Sequence, residues 1–207
     1  MKFIAHRGYW KDKNERNTKD AFRKAFVQGY GIETDIRDYH GKIVVSHNIA
    51  DHSCFEFEEV LQIYRDLNCK QPIAINIKAD GLQQKLSEIL CRYKIINYFL
   101  FDMSVPEQVV YLKQNYRTFT RMSDYEPFPV LLDSSAGIWM DEWTSSWIDF
   151  EAVLKYRNMQ KQTCIISPEI HGRNHLLLWK QLNNFLNDDE VMLCTDIPDK
   201  AEEFFYG

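Results

Sequence analysis

The feature that most constrains the fold is a regular alternation of short apolar segments with longer amphipathic segments. In the longer segments, apolar residues recur at positions i, i+3, i+4 and i+7, which is typical of helices that cover a sheet. The predicted strands are 2–6, 31–36, 72–78, 98–103, 117–122, 136–143, 163–170 and 190–196. The predicted helices are 18–29, 57–67, 82–93, 105–116, 148–161 and 175–187.

Strands that alternate with helices predict a parallel sheet with right-handed crossovers. Eight such units favour a closed (β/α)8 barrel, or TIM barrel, over an open doubly wound sheet. The segment 43–46 is an extra strand, which returns after a tight turn as a short hairpin following the second strand. We expect Asn17 or Thr18 to cap the first helix, and Gly29 or Gly31 to end it.

Bulk properties exclude several classes of protein. The chain has 207 residues, 45% of them hydrophobic, so we expect one domain (1–207) with one core and no large insertion. A formal net charge of -5 argues against binding of nucleic acid by bulk charge. No apolar run approaches a membrane span or a signal-peptide core, so we expect no membrane span and a cytoplasmic protein. Five scattered cysteines without a CxxC pair indicate reduced thiols rather than a zinc site.

Polar side chains recur at the ends of the predicted strands. Active sites of barrel enzymes lie at the carboxyl ends of the strands, so we expect these side chains to meet at one mouth. They are His6 and Arg7 at the end of the first strand, Glu33 and Asp35 in the second, Asn76 and Lys78 at the end of the third, and Glu169 and His171 after the seventh.

Glu33 and Asp35 lie on one face of the second strand because strand side chains alternate, and Ile32 and Ile36 occupy the other face. Two adjacent carboxylates repel each other unless a cation lies between them, and oxygen ligands suit Mg²⁺ or Ca²⁺. The pattern therefore indicates a site for a divalent cation. Two solvent-facing acids on an edge strand are the alternative.

Two histidines and two cationic residues accompany the acid pair. Imidazole titrates near neutral pH, so His6 and His47 are a candidate acid and base pair, although a histidine at a strand end is often structural. Arg7 is a candidate ligand for an anion, or the partner of an acid. Lys78 lies two residues after Asn76, hence on the same face, and adds a second cation for a phosphate.

The order and spacing of these motifs resemble the glycerophosphodiester phosphodiesterase family, a branch of the phospholipase-C-like phosphodiesterase barrels. The family pattern is HRG, a PENT-type stretch, an apolar ExD strand, a DG-type turn, VV and HD, an ExK strand and a closing TDxP. This chain has HRG at 6–8, ERNT at 15–18, ETD at 33–35, YHGK at 39–42, VVSHN at 44–48, NIK at 76–78 and TDIPD at 195–199. The middle of the chain agrees only in its rhythm of strands and helices.

The resemblance implies a barrel enzyme that hydrolyses a small glycerophosphodiester, or a related alcohol-phosphate diester, with one divalent cation, Mg²⁺ or Ca²⁺. In the family, a neighbouring hydroxyl of the substrate can attack phosphorus. The implied roles are metal binding for Glu33, Asp35 and Asn76, acid and base catalysis for His6 and His47, and phosphate binding for Arg7 and Lys78.

Three departures from the family pattern alter these expectations. Asn76 stands where the family has a third carboxylate, so we expect weaker metal binding because an amide oxygen is neutral. Arg16 replaces the glutamate of the PENT-type stretch, and Asn48 replaces the aspartate after His47. The stretch from Asn48 to Pro72 is shorter than the family's usual inserted segment, so we expect a mouth that is either open or covered by a lid from another part of the chain.

The segment after the seventh strand adds further candidates. Glu169 and His171 are candidate substrate contacts, together with Trp139 in the sixth strand, and a helix N-terminus capped by Asn174 is the alternative. Glu169 is also a candidate replacement for the missing carboxylate. Three other tryptophans are expected to be packing residues: Trp143, Trp147 and Trp179.

Two other interpretations of the mouth stay open. A degenerate barrel that keeps the phosphate pocket as a binding or regulatory module is favoured by Asn76, but it has no need for an acid and base pair. A metal-independent lyase of the phospholipase C type, which leaves a cyclic phosphate, requires a cation in place of the metal. The pair of Glu33 and Asp35 argues against that lyase.

Overall fold

The structure is a computed structural model that describes residues 1–207, and it contains one nine-stranded sheet. The strands are β1 (Lys2–Ala5), β2 (Gly31–Tyr39), β3 (Lys42–Val45), β4 (Ile73–Ile77), β5 (Tyr98–Phe101), β6 (Phe119–Ser123), β7 (Gly137–Asp141), β8 (Gln162–Ile166) and β9 (Val191–Thr195). The helices are α1 (Lys19–Val27), α2 (Phe57–Asp66), α3 (Gln83–Arg92), α4 (Val105–Lys113), α5 (Phe150–Asn158), α6 (Leu176–Leu182) and α7 (Pro198–Tyr206).

Eight of the strands are parallel and close into a barrel. Their order is β5-β4-β2-β1-β9-β8-β7-β6, and a parallel bridge between Leu100 and Thr118 joins the two ends of this path. The remaining strand, β3, pairs antiparallel with β2, with Val45 opposite Ile36. The (β/α)8 barrel and the hairpin after its second strand, both predicted from the sequence, are confirmed.

The helices follow the predicted pattern with one addition. The structure has no helix between β6 and β7, where the sequence also predicted none. The final helix, α7, was not among the predicted helices. It packs against β1, where Phe205 stacks on Phe3 with ring centroids 5.8 Å apart. None of the helices is both long enough and apolar enough to cross a bilayer.

The barrel wall separates two apolar clusters. The larger cluster, of 42 buried residues, lies between the barrel and the helices and includes Ile32. The smaller cluster, of ten buried residues, fills the barrel interior and includes Ala74. Glu33 pairs in register with Ala74, and Asp35 pairs with Asn76. Because paired residues of neighbouring strands point to the same side, both acids face the barrel interior.

The loop from β1 to α1 turns sharply over the mouth of the barrel. Thr18 caps α1, because its side chain accepts a hydrogen bond from the Ala21 N–H. Gly8 has a φ of +88°, and a Cβ there would lie 2.8 Å from the carbonyl carbon of Ala21. Arg7 also has a left-handed φ, of +56°. This conformation costs energy in a residue other than glycine, so the contacts of Arg7 at the mouth must hold it in place.

Candidate active site

A cavity of about 300 Å³ opens at the carboxyl ends of the barrel strands. The strands β2 and β7 lie four positions apart in the closed barrel, so their residues face each other across this cavity. One side is a charged wall on β1, β2, β4 and their loops: His6, Arg7, Arg16, Glu33, His47, Asn76 and Lys78. The other side is an aromatic wall on β5, β7, β8 and their loops: Phe101, Trp139, Asp141, Trp143, Ile166, Ile170 and His171.

His6 is held by a carboxylate that follows the last strand. Its Nδ1 lies 2.7 Å from Asp196 Oδ1, and Arg16 donates to Asp196 Oδ2, also at 2.7 Å. An ionised carboxylate only accepts, so this contact assigns a proton to Nδ1 of His6. The Nε2 atom of neutral His6 then keeps a free lone pair, 3.9 Å from Glu33 Oε2. Arg16 is itself fixed over the Trp10 ring, 4.2 Å from the ring centroid.

His47 has two partners for one ring nitrogen. Its Nδ1 lies 3.0 Å from the Arg7 guanidinium and 3.2 Å from Asp35 Oδ1. Arg7 only donates, so its contact suits an unprotonated Nδ1, whereas Asp35 only accepts, so its contact suits a protonated one. The surroundings of His47 therefore accommodate its Nδ1 atom either as a hydrogen-bond donor or as an acceptor.

Burial and charge make the two interior acids different. Glu33 is 2% exposed and Asp35 is fully buried. Burial, together with the neighbouring charge of Asp35, raises the pKa of Glu33 to about 7. Burial acts on Asp35 in the same direction, but Arg7, Asn17 and Lys78 outweigh it and lower the pKa of Asp35. Asp35 therefore favours its ionised form, whereas Glu33 favours its protonated form more than an exposed glutamate does.

The side chain of Asn76 bears on whether the site fits a divalent cation. Its amide oxygen is buried and has no hydrogen-bond partner. It lies on the same interior face as its register partner Asp35, next to Glu33. No group of three or more His, Cys, Asp or Glu side chains is arranged to hold a metal ion. An unpaired buried carbonyl beside two carboxylates is nevertheless an oxygen donor set that fits Mg²⁺ or Ca²⁺.

Lys78 enters the cavity immediately after β4. Its ammonium group donates to Asp102 Oδ2 at 2.8 Å and lies 3.8 Å from Asp35 Oδ1. Asp102 has a left-handed φ of +67°, and Arg121 donates to its other oxygen. Glu126 in turn accepts two hydrogen bonds from the Arg121 guanidinium. This series of alternating charges fixes the position of the Lys78 ammonium at the mouth.

The aromatic wall is built on a stacked pair of rings. Trp139 and Phe101 stack inside the barrel with ring centroids 3.7 Å apart. Above them, His171 Nε2 lies 2.7 Å from Asp141 Oδ1. This hydrogen bond raises the pKa of His171. The structure thus brings two predicted contact residues, Trp139 and His171, to the cavity.

Trp143 differs from the other tryptophans that were expected in the core. Trp179 is buried, with 1% exposed, but Trp143 is 38% exposed and lines the cavity at its rim. Its ring centroid lies 6.3 Å from that of His171. The Asp124 carboxylate accepts hydrogen bonds from the backbone N–H groups of Trp143 and Ser145, at 2.6 and 2.8 Å. That anchor holds the loop after β7 at the mouth, so the packing role predicted for Trp143 is wrong.

Glu169 does not line the cavity. Its carboxylate accepts hydrogen bonds from the hydroxyls of Thr195 and Ser167, and from the Asp196 N–H at 3.1 Å. Glu169 therefore joins the loop after β8 to the end of β9. With its oxygens used in this way, it is not placed to replace the carboxylate missing at Asn76.

Three acids of the site were given no role from the sequence: Asp102, Asp141 and Asp196. Asp196 belongs to the TDIPD stretch, so its position in a family-like motif was an available signal. Asp141 ends β7, and Asp102 follows β5 directly. A polar residue at the end of an apolar strand was therefore the signal that could have found these two.

Comparisons with known proteins bear on the fold. No family model and no curated protein matches the sequence. A glycerophosphodiester phosphodiesterase from Agrobacterium tumefaciens superposes with a TM-score of 0.73, at 14% identity over 100% of both chains. A phosphodiesterase from Oleispira antarctica, in complex with the product sn-glycerol-3-phosphate, has a TM-score of 0.70 at 14% identity over 98% of this chain and 96% of that one.

A third solved structure is more distant. It is a Ca²⁺-dependent phosphatidylinositol-specific phospholipase C from Streptomyces antibioticus, with a TM-score of 0.55 at 11% identity over 97% of this chain and 95% of that one. All three similarities extend over nearly the whole chain. The protein therefore has the barrel fold of these phosphodiesterases.

Proposed function

We propose that the protein is a phosphodiesterase that hydrolyses a small glycerophosphodiester or a related alcohol-phosphate diester. The observation that carries the proposal is one cavity whose charged wall contains two histidines with different partners, His6 and His47, together with the cations Arg7 and Lys78. Two imidazoles supply an acid and a base, and two cations match the charge of a phosphate. The shared fold with glycerophosphodiester phosphodiesterases supports the same activity.

Arg7 and Lys78 are the proposed phosphate ligands. Each is held by an acid, since Arg7 Nε lies 3.4 Å from Asp35 Oδ2 and Lys78 donates to Asp102 at 2.8 Å. As negative charge builds on the phosphoryl oxygens in the transition state, cations that are already in place stabilise it without rearrangement.

His6 and His47 are proposed to move the protons. Neutral His6, with its Nδ1 proton directed to Asp196, can accept a proton at Nε2 from the attacking hydroxyl group, which belongs to water or to the substrate itself. If the hydroxyl belongs to the substrate, water then opens the cyclic phosphate to give the monoester. Protonated His47, held at Nδ1 by Asp35, can give its Nε2 proton to the leaving alkoxide. The different partners of the two rings support this division of roles.

Glu33, Asp35 and Asn76 are the proposed ligands of one Mg²⁺ or Ca²⁺ ion. A bound ion would supply positive charge against a phosphoryl oxygen. Asn76 contributes no negative charge, so we expect the ion to bind more weakly than at a site with three carboxylates.

Two leaving groups test the roles of the histidines. His6→Ala should lower kcat by roughly 10²- to 10⁴-fold on both an alkyl and a p-nitrophenyl diester of glycerol phosphate, because both need the base. His47→Ala should show that loss only on the alkyl diester, because p-nitrophenolate leaves without a proton. Circular dichroism checks that both variants fold. Undiminished turnover of the alkyl diester by either variant would remove its assigned role.

A metal-independent lyase is the second candidate, because it requires a cation in place of the metal. Arg7 and Lys78 already lie 3.4 and 3.8 Å from the oxygens of the proposed metal ligand Asp35. Diesters are incubated with Mg²⁺, Ca²⁺ or EDTA, and the products are followed by phosphorus NMR. A monoester whose formation stops in EDTA supports the hydrolase. A cyclic phosphate formed at an unchanged rate in EDTA supports the lyase, and binding without turnover supports a binding module.

A further inference from the structure

A second depression lies at the opposite end of the barrel from the candidate active site. Its volume is about 250 Å³, and it lies between the C-terminal ends of α2 and α3, the helices that precede β4 and β5. Three cations line it, Arg65, Lys70 and Lys94, and none of its lining residues is acidic. A cationic depression without acids is unusual for this chain, which has 30 acids against 25 lysines and arginines.

The three cations differ from the charged residues around them because their side chains have no partner in the chain. Asp66, next to Arg65, instead accepts a hydrogen bond from Gln62 at 2.6 Å. At the same end of the barrel, before β9, Arg157 pairs with Asp188 at 2.7 Å. The acids around the start of α2 each pair with a cation outside the depression: Glu56, Glu58 and Glu59.

The ends of α2 and α3 do not use the charges of the depression. Lysine and arginine side chains often donate to the last carbonyls of a helix. Here backbone groups do so instead, since the Cys69 N–H donates to the Tyr64 carbonyl at 3.0 Å and the Ile95 N–H donates to the Leu90 carbonyl at 2.9 Å. The three cations are therefore available to pair with negative charge from outside the chain.

An apolar depression continues from the cationic one. It has a volume of about 370 Å³, shares Lys94 and Ile95 with the first depression and has no acid in its lining. Its other lining residues include Leu90, Tyr98 and Ile96, and Ile96 is 84% exposed. Protein interfaces combine an apolar centre with a polar rim in the same way. We call the two depressions together the basal groove.

The shape of the basal groove favours a polypeptide as its occupant. A small molecule is usually held in a pocket that buries about 70–90% of its surface, but Arg65 and Ile96 are both exposed. The surface of a bilayer is flat, so it would contact a concave groove only at its rim. An extended polypeptide can follow both depressions and place a side chain in each.

We propose that the basal groove binds an acidic segment of a partner protein. Carboxylates of that segment pair with the three cations, and a large apolar side chain of the segment packs beside Ile96. Complementary charge gives such a contact its specificity and speeds association. Because the basal groove and the candidate active site lie at opposite ends of the barrel, the partner leaves the mouth open. Binding in the groove does not depend on the phosphodiesterase function.

A library of random peptides displayed on phage tests the basal groove without knowledge of the partner. Peptides enriched on the wild-type protein should carry several acids and at least one large apolar residue. The triple variant Arg65→Gln/Lys70→Gln/Lys94→Gln should not enrich them. Circular dichroism checks that the variant folds, which we expect because all three side chains are exposed.

The matched control is the triple variant Arg23→Gln/Lys155→Gln/Lys180→Gln. It removes the same number of charges from exposed positions on α1, α5 and α6. It should therefore enrich the same peptides as the wild type. Loss of binding by this control as well would show a response to net charge rather than to the basal groove, and would overturn the proposal.

A selected peptide then provides affinities, measured by fluorescence anisotropy. The triple variant of the basal groove should bind it about 10- to 100-fold more weakly, as expected for the loss of three exposed ion pairs. Ile96→Ser should weaken binding by about tenfold, because the burial of an apolar side chain is lost. Added salt should also weaken binding by the wild type, because it screens exposed charges.

Enrichment of no peptide, or only of peptides without acids, would overturn the acidic-segment site. Equal enrichment on the wild type and on the triple variant of the basal groove would overturn it as well. Vesicles of phosphatidylglycerol test the other macromolecular occupant by co-sedimentation. If they bind the wild type through the three cations while no peptide is enriched, the occupant is a lipid surface and the acidic segment is wrong.

Discussion

The charged and aromatic walls of the cavity are encoded in different ways. The charged wall comes from the adjacent strands β1, β2 and β4 and their loops, all within residues 6–78. The aromatic wall comes from β5, β7 and β8 and their loops, within residues 101–171. Its central polar pair joins residues 30 positions apart, Asp141 and His171. The proposed reacting groups thus lie in short motifs, whereas the polar pair of the aromatic wall depends on a contact between distant positions.

The walls also differ in how they balance charge. In the charged wall, each proposed reacting group has an acid partner, and for His6 this partner is Asp196, at 2.7 Å. The acids therefore orient donors toward the cavity before a substrate arrives. In the aromatic wall, the acid Asp141 is paired instead with an imidazole, that of His171, at 2.7 Å. Substitutions in the charged wall should mainly change rates, and substitutions in the aromatic wall should mainly change affinities.

The largest expected effect is that of Asp196→Asn on the rate. The amide can donate to Nδ1 of His6, which favours the wrong tautomer for a base at Nε2, so kcat should fall by about 10³-fold with little change in KM. Steady-state kinetics on a glycerophosphodiester measures both constants. The control Asp188→Asn should keep wild-type kinetics. A rise in KM with unchanged kcat would mean that Asp196 supports binding rather than His6.

The next effect concerns stability in the charged wall. A raised acid pKa means that the folded state favours protonated Glu33, so ionisation costs stability as the pH rises above 4.5 and through about 7. Glu33→Gln removes this cost. In EDTA at pH 8, its free energy of unfolding should exceed that of the wild type by up to about 3 kcal/mol, and below pH 5 the gain should vanish. Urea denaturation at each pH measures the free energy of unfolding of both proteins. A gain in stability that does not change with pH would exclude titration of Glu33 as its cause.

Much of the fold was predictable because the apolar periods are local. Thr18 caps α1 as predicted, but the residue at the N-cap of α6 is His175 and not Asn174, whose side chain only accepts a hydrogen bond from the Leu176 N–H. The exposure of Trp143 was not predictable from its aromatic character, because it depends on Asp124, which precedes it by 19 residues and anchors its loop. Local pattern predicts which strand or helix a residue belongs to, but loop contacts decide which way its side chain faces.

The residues of the candidate site were also only partly predictable from local sequence. His6 and Lys78 line one cavity, as motif order suggested, but their partners Asp196 and Asp102 lie 190 and 24 residues away. Glu169 follows a strand in the same way, yet hydrogen bonds from neighbouring loops draw its carboxylate out of the cavity. Strand position therefore selected candidates, and only long-range contacts separated those that reach the cavity from those that do not.

A smaller effect is expected from a change of charge at Asn76. Asn76→Glu adds a third carboxylate to the proposed ligand set, so it should tighten binding of Mg²⁺ or Ca²⁺ by about tenfold, because ligand charge tunes affinity. Calorimetric titration measures the ion directly, without substrate. The exposed substitution Asn184→Glu is the matched control and should leave the affinity unchanged. Equal or weaker binding by Asn76→Glu would show that residue 76 is not a ligand.

The smallest effect tests the aromatic wall by its response to pH. The pKa of His171 is raised from 6.5 by its hydrogen bond to Asp141, so the pair stabilises the fold fully below pH 6.5 and loses this contribution as the pH rises through the folded value. The stability gap between wild type and Asp141→Asn should therefore be about 1 kcal/mol larger at pH 6 than at pH 9. Urea denaturation at both pH values measures the gap.

The two walls should thus respond to pH in opposite directions. The gain from Glu33→Gln should grow as the pH rises, because a buried acid becomes charged, whereas the loss from Asp141→Asn should shrink, because an imidazolium loses its proton. The double variant separates the two contributions, since the residues lie on opposite sides of the barrel and their effects should add. A gap for Asp141→Asn that is equal at pH 6 and pH 9 would show that Asp141 does not stabilise a protonated His171.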